Sequence, residues 1–243
     1  MSKDRQTILL KKTTALLLGT RDFRNLAREV TSLIVKELRD QNVIGAAVFR
    51  LHSQENLIYA YTYANKYRRI IDSLLPGEFS QLNVSLSQAD NYIVKAVLTN
   101  HIQHSEKLAD FSRGVLPEGV SVRAQKIMKA RFFVAFPIRL KSNKVAGVIL
   151  LALSDARLSG EQLVFFETLA GQLGLAFSNV LEFERLMARF QNLSSGFVSS
   201  AEDKPSVKFT LRVTRKENAK LEKLAKERKR TKAEVIRELL EKE

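Results

Sequence analysis

Residues 131–140 read RFFVAFPIRL, residues 141–144 read KSNK, and residues 145–153 read VAGVILLAL. Two apolar runs of strand length flank a short polar break, which predicts an antiparallel hairpin. Downstream, Ser159 is a candidate N-cap, and one long helix is predicted from there to about Phe190. Phe166, Leu173, Val180 and Met187 recur every seven residues, with Ala170 and Phe177 on the alternate seam. A seven-residue repeat of that length predicts that helices of two chains pack side by side, so these six residues are the expected dimer helix. Leu169, Ala176, Phe183 and Phe190 widen the stripe, and part of the helix is therefore expected to face its own sheet.

Upstream, residues 5–18 form a predicted N-terminal helix, and Gly19-Thr20 interrupts it. Thr20 can cap a second helix in which Phe23, Leu26, Val30, Leu33 and Ile34 recur at spacings of three and four. Residues 43–51 are an almost continuous apolar run, hence a buried strand. A turn at 52–56 leads to an alternating strand over 57–64 that sets Leu57, Tyr59, Tyr61 and Tyr63 on one face. That tyrosine row either packs against the body of the domain, the common fate of aromatic side chains, or lines a pocket. Pro76-Gly77 marks a turn, 81–86 a short strand and 88–98 a helix, whereas 100–128 carries no clear period. His101 and His104, with Glu106 and Asp110 nearby, have the residue types of a metal site, but the local sequence is that of an ordinary polar loop and no metal is expected.

Helix, hairpin, long middle part, hairpin and closing helix resemble a GAF domain. The resemblance spans about residues 21–186 and is carried by Phe133-x-Ala135-Phe136-Pro137-Ile138, by Val145-Ala146-Gly147-Val148-Ile149 and by Leu158-Ser159-Gly160-Glu161-Gln162. It implies an antiparallel sheet and a small-molecule sensor or a dimerisation module. In ligand-binding members the pocket lies between the sheet and the irregular middle part. By resemblance its contacts here are Tyr61, Phe79, His101 and Phe136. The ligand and any cofactor stay unknown. A covalently attached bilin and the sulfoxide reductases of this fold both need cysteine, and the chain has none.

The C-terminal stretch has a different character. Residues 207–213, VKFTLRV, alternate Val207, Phe209, Leu211 and Val213 with Lys208, Thr210 and Arg212. One strand of this kind is half unpaired and exposes its apolar face; pairing with the same strand of a second copy repairs both defects. The resulting ribbon is basic on one side and fits the major groove of B-DNA. A helix over 216–228 follows, with Ala219, Leu221, Leu224 and Ala225 as apolar positions, then a break at Lys229-Arg230. Thr231 and Glu234 form a capping-box pattern before a second helix with Val235, Ile236, Leu239 and Leu240. Strand, helix, turn and capped helix resemble the ribbon-helix-helix repressors, although that family usually has Gly near position 229. The resemblance implies an obligate dimer in which Lys208, Thr210 and Arg212 read bases. Thr231 and the amides of Lys232 and Ala233 sit where a capped helix start grips phosphate.

The charge distribution agrees. Of a net +14, residues 204–243 supply half, with 14 basic and 7 acidic side chains. No phosphate-cradling glycine loop, Gly-x-Ser-x-Gly elbow or His-Glu-x-x-His is present, so no enzyme is expected. No uninterrupted apolar run reaches membrane-spanning length, and no secretory signal is read at the start. The expected architecture is α+β. A GAF-like antiparallel sheet with flanking helices (21–190) follows an N-terminal helix (1–20). A linker (191–205) leads to a ribbon-helix-helix domain (206–243). The expected protein is a cytoplasmic, nucleoid-associated prokaryotic homodimer that binds double-stranded DNA and regulates transcription, with a small molecule as candidate ligand and no membrane partner. The alternative is an antitoxin-like interaction module whose basic C-terminus holds a protein, the GAF-like part being a ligand-free dimerisation scaffold.

Overall fold

In the computed structural model of this chain the described residues are 11–13, 23–39, 42–155, 158–195, 215–228, 230–232 and 234–235. The chain divides into two compact units, Met1–Gln191 and Asn192–Glu243.

The larger unit is α+β. Helix α1 (Phe23–Glu37) precedes the hairpin β1 (Val43–His52) and β2 (Leu57–Asn65). Helix α2 (Arg68–Asp72), a 3-10 turn (Phe79–Gln81) and β3 (Asn83–Ser85) follow. Then come α3 (Tyr92–Thr99), β4 (Gln103–Ser105), α4 (Ala109–Ser112) and α5 (Glu118–Met128). The hairpin β5 (Phe132–Arg139) and β6 (Val145–Leu153) leads to α6 (Gly160–Ser195). The strands form one six-stranded antiparallel sheet in the order β3-β2-β1-β6-β5-β4. Both predicted hairpins form, and β1 and β6 join them at the centre. The 141–144 turn closes by hydrogen bonds from Leu140 N to Lys144 O (2.9 Å) and from Asn143 N to Leu140 O (2.9 Å), with Asn143 left-handed at φ 61°. The segment 100–128, which carries no legible period, holds β4, α4 and α5: α4 is one turn long, and α5 buries only Ser121 and Ala124.

Each face of the sheet has its own core. On one side α1 and α6 cover Val48, Phe136, Ile138, Ile149 and Leu151. On the other, residues of α3, α4 and the end of α5 cover Ile58, Phe133, Ala135, Val148 and Leu150. β5 and β6 are buried on both sides along almost their whole length, hence their unbroken apolar runs. Two glycines make close approaches here. A Cβ on Gly147 would lie 2.1 Å from Phe49 O, and one on Gly174 would lie 1.8 Å from Arg139 O. Gly174 thus lets α6 touch the end of β5. One turn later Ser178 Oγ accepts from Lys141 N (3.1 Å) and donates to Gly174 O (2.9 Å).

Two expectations need correction. First, Tyr61 and Tyr63 do not share a face. Val48 pairs with Thr62 but Phe49 pairs with Ala60, so Tyr61 is the extra residue of a β-bulge. Tyr61 packs with the core of α1 and α6, its ring 5.4 Å from that of Phe23. Tyr63 emerges on the opposite face, its ring 4.6 Å from Phe79. Second, the seven-residue seam of α6 is not a free dimer face. Phe166, Ala170, Leu173, Phe177 and Val180 are all buried within this chain, at most 6% exposed, and only Met187 of the six is partly exposed. A 3.6-residue helix drifts only about 20° per heptad from a 3.5-residue repeat, so over three heptads a helix lying on its own sheet shows the same spacing. The exposed apolar residues of α6 are instead Val164, Leu175, Phe183 and Leu186.

Ser159 does cap α6: its Oγ accepts from Gln162 N (3.3 Å), and Gln162 Oε1 accepts from Ser159 N (2.9 Å). The helix continues beyond Phe190 to Ser195, into the stretch read as linker. Residues 160–183 have the length and composition of a membrane span, but more than half of the apolar part is buried inside the protein. Of the predicted N-terminal helix, residues 11–13 are described and helical, and Lys12 Nζ pairs with Glu37 Oε1 at 2.7 Å. The remainder of that helix lies outside the described residues.

Candidate functional sites

The face of the sheet opposite α1 and α6 is floored by small residues. Gly45 and Ala47 of β1, Ala60 and Ala64 of β2, and Ala152 of β6 line a cavity of about 130 Å³. Bulkier side chains of the same sheet face, Ile58 and Leu150 among them, stand beside this floor. Phe49, Phe79, Phe111 and Phe133 form the walls, with Ile93 and Met128 among the remaining lining.

Three of the four polar side chains around this cavity are bonded within the protein at both ends or buried, and the fourth, Asn83, is exposed and donates to Gln81 O (3.3 Å). Tyr63 donates to Asp72 Oδ1 (2.5 Å) and lies 3.1 Å from Arg68 O. Burial, and next the hydrogen bond to the Asp72 carboxylate, push the Tyr63 phenol well above its ordinary range. Asn65 donates to Ile44 O (2.7 Å) and accepts from Tyr67 N (2.7 Å). Ser112 Oγ donates to Leu108 O (3.1 Å) and pairs with Ser121 Oγ (2.6 Å). The wall is anchored by Asn91, wholly buried. Its Oδ1 caps α3 by accepting from Ile93 N (2.8 Å), and its Nδ2 donates to Phe111 O (3.1 Å) and Arg113 O (2.8 Å). A second groove, lined by Arg68, Asp72 and Glu78, shares Tyr63, Leu75 and Phe79 with the cavity.

The structure does not gather the four expected pocket residues. Phe79 lines the cavity. Tyr61 lies on the face covered by α1 and α6 and borders only the outer groove. Phe136 is fully buried beneath α6, its ring 5.8 Å from Phe166. His101 is exposed, its Nδ1 2.5 Å from Thr99 O. His104 lies on β4, stacked 5.6 Å from the Phe132 ring, so the two histidines do not share a helix. Among the described residues no three His, Cys, Asp or Glu side chains are grouped to hold a metal. The small-residue floor went unread, although Gly45 and Ala47 within an otherwise apolar strand were a legible sign of a shallow surface.

In the smaller unit, α7 spans Arg215–Glu227. Beyond its end Arg230 N donates to Ala225 O (3.0 Å). The capping box that follows is reciprocal. Thr231 N donates to Glu234 Oε2 (2.7 Å), Thr231 Oγ1 donates to the same oxygen (2.8 Å), and Glu234 N donates to Thr231 Oγ1 (3.3 Å). Val235 is buried. Lys232 Nζ donates to Asn218 Oδ1 (3.0 Å) and to Glu222 Oε1, so this expected phosphate ligand is tied to α7. Those contacts hold the Glu222 carboxyl below its ordinary range. The strand expected at 207–213, with Lys208, Thr210 and Arg212, lies outside the described residues, as does Ala233.

No model of a known protein family matches the chain, and no curated protein matches it. Solved structures do. The GAF domain of an Acinetobacter phosphoenolpyruvate-protein phosphotransferase superposes with a TM-score of 0.51 at 14% identity, over 78% of this chain and 99% of its own. The phycoerythrobilin-bound GAF domain of a cyanobacterial phytochrome gives 0.52 at 14% identity, over 74% and 97%. The free methionine-R-sulfoxide reductase of Neisseria meningitidis, in complex with its substrate, gives 0.54 at 8% identity, over 75% and 95%. At these identities the likeness speaks to architecture, and over most of its length this chain has the fold of a GAF domain.

Proposed function

We propose that this chain is a dimeric, sequence-specific DNA-binding transcriptional regulator whose GAF-fold unit senses a small molecule, and that it binds rather than catalyses. The observation that carries the sensing half is the apolar cavity of about 130 Å³ on the small-residue floor of the sheet. Two proteins of the same architecture are described with bound molecules, one a bilin and one an enzyme substrate. The DNA-binding half rests on the amphipathic sequence of residues 207–213, on half the net charge lying in residues 204–243, and on the helix, turn and capping box of 215–235. In this reading two copies pair through 207–213. Lys208, Thr210 and Arg212 face bases, and Thr231 with the amides of Lys232 and Ala233 faces phosphate. Lys232 then exchanges Glu222 for a phosphate oxygen. The protein works in the cytoplasm, on the nucleoid.

The test is selection of bound sequences from a random DNA pool by the full chain at fixed, near-physiological salt, because the phosphate contribution alone changes affinity by orders of magnitude. The expected result is a short, roughly palindromic motif whose enrichment is lost in the Lys208→Ala, Arg212→Ala double variant. Binding without enrichment overturns sequence-specific regulation and favours the protein-interaction alternative. Sensing is tested separately. Protein purified from its native host and denatured releases a bound small molecule detectable by mass spectrometry; repeated recovery of none makes the GAF-fold unit a scaffold.

A further inference from the structure

We propose that the cavity on the sheet's small-residue face takes an uncharged, wholly apolar molecule about the size of a single aromatic ring; this rests on, and narrows, the reading of the unit as a small-molecule sensor. The volume sets the size. Apolar cavities of about 150 Å³ lined by Leu, Ile and Phe admit benzene or xenon, and this one, partly open to solvent, measures about 130 Å³.

The lining sets the chemistry. Its floor is Gly45, Ala47, Ala60, Ala64 and Ala152, and its walls include four phenylalanines. Of the four polar side chains at its border, Tyr63, Asn65 and Ser112 direct their hydrogen-bonding groups to Asp72, Ile44 and Tyr67, and Leu108 and Ser121 respectively, and Asn83, exposed at the rim, donates to Gln81 O (3.3 Å). A charged or strongly polar ligand would lose its hydration and find those donors already engaged, an unfavourable exchange. Water gains little there for the same reason, since a buried water needs two to four polar partners. An apolar ring instead restores the dispersion contacts that a void of this size leaves unmade. Size and edge are fixed by the Tyr63–Phe79 pair, whose rings are 4.6 Å apart, and by the Tyr63–Asp72 bond that ties α2 to the rim.

The test uses the full chain with toluene as the probe and benzoate, the same ring bearing a charge, as its counterpart. Urea unfolding is followed by tyrosine fluorescence, because all five tyrosines lie within residues 59–92. Toluene is expected to raise the midpoint in proportion to the logarithm of its concentration once that exceeds the dissociation constant. Benzoate is expected to leave it unmoved. Ala60→Leu fills the floor and abolishes the toluene response; if that variant does not fold, Ala47→Leu serves the same purpose. No rise with toluene, an equal rise in the filled variant, or a larger rise with benzoate each overturns the proposal. A large or charged molecule recovered from native protein leaves sensing standing and overturns the apolar assignment. A toluene response with no native ligand ever recovered does the reverse.

Discussion

Replacing Phe177 by alanine separates a core helix from a dimer seam. The side chain is 3% exposed, its ring lies 4.1 Å from Phe23, and the Arg50 guanidinium carbon sits 4.9 Å above it. Truncating a buried phenylalanine costs about 3–5 kcal/mol in lost transfer energy and residual cavity. The cation–π contact contributes about 0.5–2 kcal/mol, of which Arg50 keeps a part through Tyr61, over whose ring it lies at 5.8 Å. The expected loss is therefore about 4 kcal/mol. With a urea slope of about 2 kcal/mol per molar, the midpoint falls by about 2 M. The full chain suits the assay, since tyrosine fluorescence reports on the GAF-fold unit alone. The discriminating variable is protein concentration. A residue buried within its own chain costs the same at every concentration. A seam residue costs more in the concentrated sample, where the wild type gains about 1.4 kcal/mol per tenfold increase through association. A loss that falls from about 4 to about 1 kcal/mol on hundredfold dilution, two decades at about 1.4 kcal/mol each, would refute the burial of this stripe and restore it as an interface.

Gly174→Ala is expected to cost at least about 1–3 kcal/mol, because its Cβ would lie 1.8 Å from the carbonyl oxygen of Arg139 in a paired strand. Gly171→Ala, three residues earlier and open on that side, should gain up to about 1 kcal/mol from helix propensity, so the two thermal midpoints move in opposite directions. Tyr63 has a raised folded-state pKa, from burial and then Asp72, so it holds its proton after the unfolded phenol has lost it. Its contribution to stability is complete below about pH 10 and falls as the pH rises beyond that. An alkaline absorbance titration should find one tyrosine that ionises only on unfolding, and Tyr63→Phe should flatten the decline above pH 10. Thr231→Ala removes the capping box and should lower helical stability by about 1 kcal/mol, read by circular dichroism; an unchanged melt would show the cap to be idle.

Several elements were legible because short-range rules decide them. The 141–144 turn, the Ser159 and Thr231 caps, and the apolar runs of β1, β5 and β6 depend on neighbours within a few residues, and each stands where the sequence puts it. The order of the large elements was enough to suggest the GAF architecture. The segment 100–128 was opaque because its elements are one to three turns long and are held by distant partners. Gln125, for example, accepts from Leu108 N and donates to Glu106 O.

What the sequence determined alone is which residues are apolar, where helices start and where chains turn. Which surface each apolar face meets was decided by tertiary structure. The stripe of α6 has one spacing whether it meets a second helix or its own sheet, and only the sheet beneath it, approached closely at Gly174, selects the second. The tyrosine row alternates in sequence, but an extra residue opposite Val48 and Phe49 turns Tyr61 and Tyr63 to opposite sides. A period of two or of 3.5 fixes direction relative to the chain itself. It says nothing of what stands opposite, and that is why the cavity, made of absent side chains on three strands, exists only in the folded sheet.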